Sequence, residues 1–297
     1  RGWHNKFKLP DFYPDRPVSN GTINIELQMI RMVYDYAEKA ELMLPAQRPT
    51  IKSLKHSVKQ NRRPEFTWSE WNKITNYITN HYLDDMPPHM AKTNLAPIYA
   101  FFRKNNQYFW QLLFMSMCRI GELKTLKWGN IDDRKVKDPN TGERVQRLIL
   151  SVDGKTGKRQ VVCQPYAAKL FSDWKRTCEE FNVPTGTKDL VFKHPESTNH
   201  GKDKKGEAIE TTNVAFKGVL DKLGIGTDAD GKQRTVYSIR HTAISQALRR
   251  NVSLNAISKN AGVSIETLTR AYDHTQSSDY IMELTKSDYT GFDSLTR

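Results

Sequence analysis

From Ala46 to Arg63 the chain carries Arg48, Lys52, Lys55, Lys59, Arg62 and Arg63 and not one acid. Charge of one sign at that density, with few large apolar side chains, cannot be buried in a core. The segment therefore splits the chain into two packing units and reads as a basic linker. Before it, Ile23, Leu27, Ile30, Val33, Ala37, Ala40 and Leu44 recur at spacings of three and four. One apolar stripe of that period predicts a helix over Thr22 to Leu44, stopped by Pro45. After it, Thr67-Trp-Ser-Glu70 places a Thr N-cap three residues ahead of a Glu, the pattern of a capping box. A new domain is expected from about residue 64, giving units of 1–63 and 64–297, with a tail from about residue 276.

Beyond that boundary the pattern is mostly helical. An apolar run predicts a helix over about Gln107 to Met117. Leu148 to Val152 and Arg159 to Val162 are β-rich and flank Asp153-Gly154-Lys155-Thr156-Gly157, which predicts a hairpin. Further helices are expected over about 166–181, 211–223, 237–249, 254–261 and 265–271. The expected fold is mostly α with a small antiparallel sheet.

The chain has 46 Lys and Arg against 33 Asp and Glu, a formal net charge of +13. Such an excess points to a polyanion. The basic residues are spread along the chain, which suits a DNA duplex better than a membrane surface, where one basic amphipathic helix would be expected. No apolar run is long enough to span a bilayer. Three scattered cysteines, Cys118, Cys163 and Cys178, offer neither a disulfide framework nor a four-cysteine zinc site. A reducing, cytoplasmic setting is expected. His194 and His200 flank a polar loop and are read as solvated. The chain opens at Arg1 with no initiating Met and no leader pattern, so a piece of a longer protein is expected.

Three segments carry chemistry. Arg119 is followed three residues later by Glu122, a pairing that is usually a salt bridge. Tyr237-Ser-Ile-Arg240-His241-Thr242 opens a helix, and Gly262-Val263 is followed by Tyr272 ten residues after the Gly. Taken in order with the hairpin Lys155, these segments resemble the tyrosine recombinase (phage integrase) family. The resemblance covers roughly residues 64 to 275; the Thr22 to Leu44 helix and the basic linker resemble the end of that family's core-binding domain.

The resemblance implies an enzyme that recombines or integrates DNA at specific sites, as encoded by mobile elements. It implies Tyr272 as nucleophile, forming a 3′-phosphotyrosine that a 5′-hydroxyl later reverses, with no cofactor, metal or ATP. It implies that Arg119 and Arg240 clamp the phosphate, that Lys155 protonates the leaving 5′-oxygen, and that Glu122 holds the Arg119 region. His241 would be a phosphate-side or supporting residue. Lys158 is an alternative to Lys155, and Tyr280 and Tyr289 are alternatives to Tyr272. Arg48, Lys52, Lys55, Lys59, Arg62 and Arg63 would track the DNA backbone, and four protomers would assemble on two double-stranded sites. Two positions depart from the family pattern. Tyr237 stands where a His is usual and can still donate a hydrogen bond; Val263 stands where a His or Trp is usual and cannot. These departures favour the rival reading, a recombinase-like DNA-binding accessory protein.

Overall fold

The structure is a computed structural model that describes residues 18–55, 64–92, 96–138, 141–154, 157–194, 206–209 and 212–272. The side chains of residues 89, 90 and 270–272 are not among them. The chain forms two compact units, residues 1–61 and 62–297.

In the first unit, α1 spans Asn20–Lys39, opened by Ser19, whose hydroxyl accepts from the Thr22 amide at 3.1 Å. The expected helix over Thr22 to Leu44 is corrected at both ends. Ser19 caps it earlier, and Glu41 takes a left-handed φ of 56° that the helix cannot continue through. Of the expected stripe only Ile23 is buried, while Val33 is 66% exposed. Within this unit α1 instead binds the start of the basic segment through polar groups. The Asn24 amide brackets Leu54, accepting from its N–H at 2.8 Å and donating to its carbonyl at 2.9 Å. Arg31 donates to the Ile51 carbonyl at 2.9 Å.

The second unit begins its helices with α2, Trp68–Asn80, where the capping box forms as the sequence implies. The Glu70 amide donates to Thr67 Oγ1 at 3.2 Å, and the Thr67 amide donates to Glu70 Oε2 at 2.8 Å. A short α3, Pro88–Ala91, leads into α4, Ala96–Ser116, and α5, Ile120–Lys124. The expected helix over Gln107 to Met117 is only the second half of α4. Polar residues such as Arg103, Lys104 and the buried Asn105 break the apolar pattern of its first half.

Strands β1 (Ile131–Lys137), β2 (Arg144–Gly154) and β3 (Gly157–Val162) form one antiparallel sheet in that order. Gly154 pairs with Gly157 and Leu150 with Val161, so β2 and β3 are the expected hairpin. Helices α6 (Ala167–Glu180), α7 (Asn213–Leu223), α8 (Val236–Arg249), α9 (Leu254–Ala261) and α10 (Ile265–Tyr272) complete the unit. The core gathers large aromatic side chains from many elements. Trp71 stacks on Phe114 at 4.4 Å, and Trp174 on Phe192 at 5.8 Å. All three cysteines are buried there. Burial pushes their thiols up, Cys118 to about 11 and Cys178 to about 12, which leaves no thiolate for catalysis.

A buried ion pair ties α2 to the residue before α8's cap. Arg234 donates to both carboxylate oxygens of Glu70 at 2.8 and 2.9 Å, and its guanidinium lies 5.0 Å from the Phe66 ring centroid. Arg234→Met leaves a partly buried carboxylate without its partner and is expected to cost about 3–5 kcal/mol of unfolding free energy, read from urea melts. Burial works to raise the Glu70 pKa, but the bonds from Arg234 and Thr67 outweigh it and hold it below the usual glutamate value. A depressed folded-state pKa stabilises above the unfolded value and is lost as pH falls through the folded one. The wild type should therefore lose this contribution below the ordinary glutamate range, and Arg234→Met should show a weaker loss there.

Candidate active site

The site forms where α5, β3, α8 and the α9–α10 turn meet. Arg119 is the residue before α5, and Glu122 lies one turn later, so the Glu reaches back to its own helix start. Glu122 Oε2 accepts from the Arg119 amide at 2.7 Å, and Oε1 accepts from Arg119 Nη1 at 2.9 Å. An acid at a helix N-terminus is also favoured by the helix dipole. Glu122 is only 3% exposed, and burial works to raise its pKa. The bonds from Arg159 and Arg119 outweigh that and hold it ionised, below the usual glutamate range.

Arg240 rises from α8 as a fully buried side chain, 1% exposed. Its Nη2 donates to the Ala261 carbonyl at 2.7 Å and its Nη1 donates to the Met117 carbonyl. Arg119 Nη2 donates to the Gly262 carbonyl. The carbonyls concerned end α9 and follow α4, whose last turns leave acceptors without intrahelical donors. Two guanidiniums thus satisfy helix ends and sit where the dipoles favour cations.

Gly262 makes this convergence possible. It ends α9 in a left-handed conformation, φ 62°. A Cβ there would lie 3.0 Å from Arg159 Nε and 3.1 Å from Arg119 Nη1. Both the backbone and the crowding require glycine. Ser264 then opens α10, accepting from the Thr267 amide at 3.2 Å, and the helix runs to Tyr272. The ten-residue interval is therefore one left-handed turn, a short cap and a two-turn helix. The main chain of Tyr272 closes α10; its side chain lies outside the described residues.

Tyr237 and His241 stand one turn apart on α8, with ring centroids 5.1 Å apart, on either side of Arg240 in sequence. Val263 packs partly buried against the core, and its carbonyl accepts from Ser258 Oγ at 2.7 Å. Lys155 lies outside the described residues, as do Lys59, Arg62, Arg63, Tyr280 and Tyr289. Lys158 is on β3, exposed, and paired in register with Asp153. Arg48 is ion-paired within its own unit: Asp35 lies at 2.7 Å and Glu38 at 3.3 Å. Lys52 and Lys55 are exposed.

Two residues of the site were missed in the sequence. Arg159 on β3 forks onto Glu122, Nη1 to Oε1 at 2.6 Å and Nη2 to Oε2 at 2.8 Å. Asn260 on α9 brackets Val162 at the edge of the sheet, accepting from its amide at 2.7 Å and donating to its carbonyl at 3.2 Å. Strand alternation carried the signal for the first. Val161 and Cys163 face inward, so Arg159 is the charged residue on that buried face. Among the described residues no cluster of His, Cys, Asp and Glu could hold a metal ion.

No family model matches the sequence. No curated protein matches it either. Solved structures do. The chain resembles the XerH site-specific recombinase bound to its difH substrate, with a TM-score of 0.52 at 16% identity, over 80% of this chain and 58% of that one. The chain thus spans less than two thirds of the XerH chain. It also resembles the Tn1549 transposon integrase in complex with a circular intermediate DNA, with a TM-score of 0.55 at 13% identity, over 90% of this chain and 79% of that one. At such identities the likeness is one of fold: this chain has the fold of the tyrosine recombinases.

Proposed function

We propose that this protein is a site-specific recombinase that cuts and rejoins DNA strands through Tyr272. The observation that carries the proposal is the convergence of Arg119 and Arg240 on the Gly262 and Ala261 carbonyls at the C-terminal end of α9, just before the helix that ends at Tyr272. In-line attack of a phenol oxygen on a phosphodiester breaks the P–O5′ bond and stores its energy in a 3′-phosphotyrosine. The transition state gathers negative charge on its equatorial oxygens, and fixed guanidinium forks meet that charge as a lysine cannot. Arg119, 28% exposed at its side chain, is the arginine open to a phosphate in this state. Lys155, which follows the paired Gly154 in sequence, would protonate the leaving oxygen. Tyr237 and His241 would flank the same phosphate.

Double-stranded DNA is the partner, with four protomers on two sites. The XerH and Tn1549 structures, which hold DNA, support this partner. The experiment is adduct capture. Duplexes selected by binding from a randomised pool are nicked near the preferred site so that the cut end diffuses away, and an SDS-stable protein–DNA band is expected.

The rival, a DNA-binding protein without strand cleavage, is favoured by one further observation besides Val263. Arg240 is fully buried and gives donors to two carbonyls, so a phosphate could reach it only after the α9 end moves. Specific binding with no adduct on any nicked duplex would select that reading.

Electrostatics give a separate expectation. Each phosphate neutralised releases counterions, so log K falls by about 0.9 per contact with log[salt]. Lys52→Gln and Lys55→Gln should each reduce the salt slope by roughly one unit on specific and random duplexes alike. Arg48→Gln should leave it unchanged, since Asp35 and Glu38 already hold that guanidinium. Filter-binding titrations at several salt concentrations measure it; unchanged slopes for both lysines would make the segment a solvated linker.

A further inference from the structure

We infer that Arg159 is a positioning residue of this site: its fork on Glu122 fixes Arg119 and leaves the Arg119 charge available to a DNA phosphate. The inference rests on the recombinase reading above.

Glu122 is the hub. Each carboxylate oxygen accepts two bonds, Oε1 from Arg119 Nη1 and Arg159 Nη1, Oε2 from the Arg119 amide and Arg159 Nη2. That fills the acceptor capacity of a carboxylate. Arg159 contributes the shortest of the four and the only two-pronged side-chain contact, at 2.6 and 2.8 Å. The third prong of its guanidinium, Nε, donates to the Asn260 carbonyl at 3.2 Å. Arg159 thus has all three nitrogens engaged and is 13% exposed at its side chain, which is poor placement for a phosphate contact of its own.

The surroundings leave Glu122 no other seat. A Cβ on Gly154 would overlap Glu122 Oε1, so the hairpin backbone closes on the carboxylate from one side. Gly262 closes on both arginine heads from the other. Asn260 holds the edge of β3 to α9 through Val162, which keeps Arg159 at its distance from the hub.

Charge completes the argument. A buried carboxylate facing Arg119 alone would cancel the charge that a phosphate is meant to meet. With Arg159 on the same carboxylate, two cations face one anion, and the hub keeps a net positive charge on its exposed, Arg119 side. Arg159 also dominates the forces that keep Glu122 ionised despite its burial.

The test is a double-mutant cycle in single-turnover adduct formation, with wild type, Arg159→Gln, Arg119→Lys and the double variant. Arg159→Gln is expected to bind DNA as the wild type does and to form adduct about 10²-fold more slowly, the usual cost of a misplaced reacting group. Because Arg159 acts through Arg119, the same change in the Arg119→Lys background should cost little more. Arg159→Lys, which keeps the charge and loses the fork, should recover part of the rate. If Arg159→Gln does not fold by thermal melt, the cycle is run with Arg159→Lys.

Equal slowing in both backgrounds would overturn the inference, since a general packing role is additive. Rescue of Arg159→Gln by a 5′-bridging phosphorothiolate would also overturn it, because that substrate relieves only leaving-group protonation. A wild type that forms no adduct would instead remove the recombinase reading itself, and this inference with it.

Discussion

A Tyr272→Phe chain is expected to bind duplex DNA as the wild type does and to form no covalent adduct. Phenylalanine keeps the ring and removes only the oxygen that, on the proposed reading, would attack phosphorus, so α10 should fold unchanged. The effect is the largest available, because no other group in the site can replace the bond to phosphorus. The position of this residue is set by local physics. Gly262 must be left-handed, Ser264 caps α10, and the eight residues of that helix then bring the chain to Tyr272. Tyr280→Phe and Tyr289→Phe should retain the adduct. Persistence of the adduct in Tyr272→Phe, and its loss in either of the others, would reassign the nucleophile.

The second large effect concerns the arginines. Arg119→Lys and Arg240→Lys keep a charge and lose the planar fork. Strand cleavage should fall by roughly 10²–10³-fold, as when one oxyanion donor is removed. DNA affinity should change little, since on the proposed reading other basic residues would still meet the phosphates. The two variants should differ in stability. Arg240 is 1% exposed and serves the carbonyls of Met117 and Ala261, so its loss should also lower the melting temperature. Arg119 is more open, and its replacement should be closer to neutral for folding. Binding lost in step with cleavage would make both ordinary phosphate-positioning residues.

Much of the fold comes from short-range rules that a sequence displays. The Thr67–Glu70 capping box fixes the start of α2, and Gly154 and Gly157 mark the ends of the hairpin turn. The last three helices begin and end within a residue of where their apolar periods place them, because each is bounded by a cap or a left-handed residue. Where local signals compete with tertiary ones, the sequence is a poorer guide. Strand β1 is rich in charge, with Asp132, Asp133, Arg134 and Lys135 in a row, because it is an edge strand and pairs on one side only. The first half of α4 hides behind polar residues. Asn105 is fully buried and donates to the Lys193 carbonyl, a contact across 88 residues that no window can see.

The site divides in the same way. Arg119 and Glu122 are three residues apart, so their pairing is readable from spacing, and the structure forms it. Arg159 reaches Glu122 from 37 residues away, and only strand alternation hints that it faces inward. Arg48 has partners that a reading of the linear sequence does not signal. It belongs to an acid-free run, yet Asp35 and Glu38 lie on the helix that the run folds against. A count of charge along the chain does not see partners brought back by the fold.

The most direct measurement is the identity of the residue that carries DNA after cleavage. Wild-type protein is trapped on a nicked duplex labelled on either side of the cut, digested with trypsin, and its DNA-linked peptide sequenced by mass spectrometry. The expected peptide runs from Ala271 to Lys286 and contains both Tyr272 and Tyr280, so fragmentation must separate them. The account predicts phosphate on Tyr272, joined to the 3′ end of the cut strand, with a free 5′-hydroxyl on the other fragment. Phosphate on Tyr280 or Tyr289, a 5′ linkage, or specific binding with no linkage at all would contradict it.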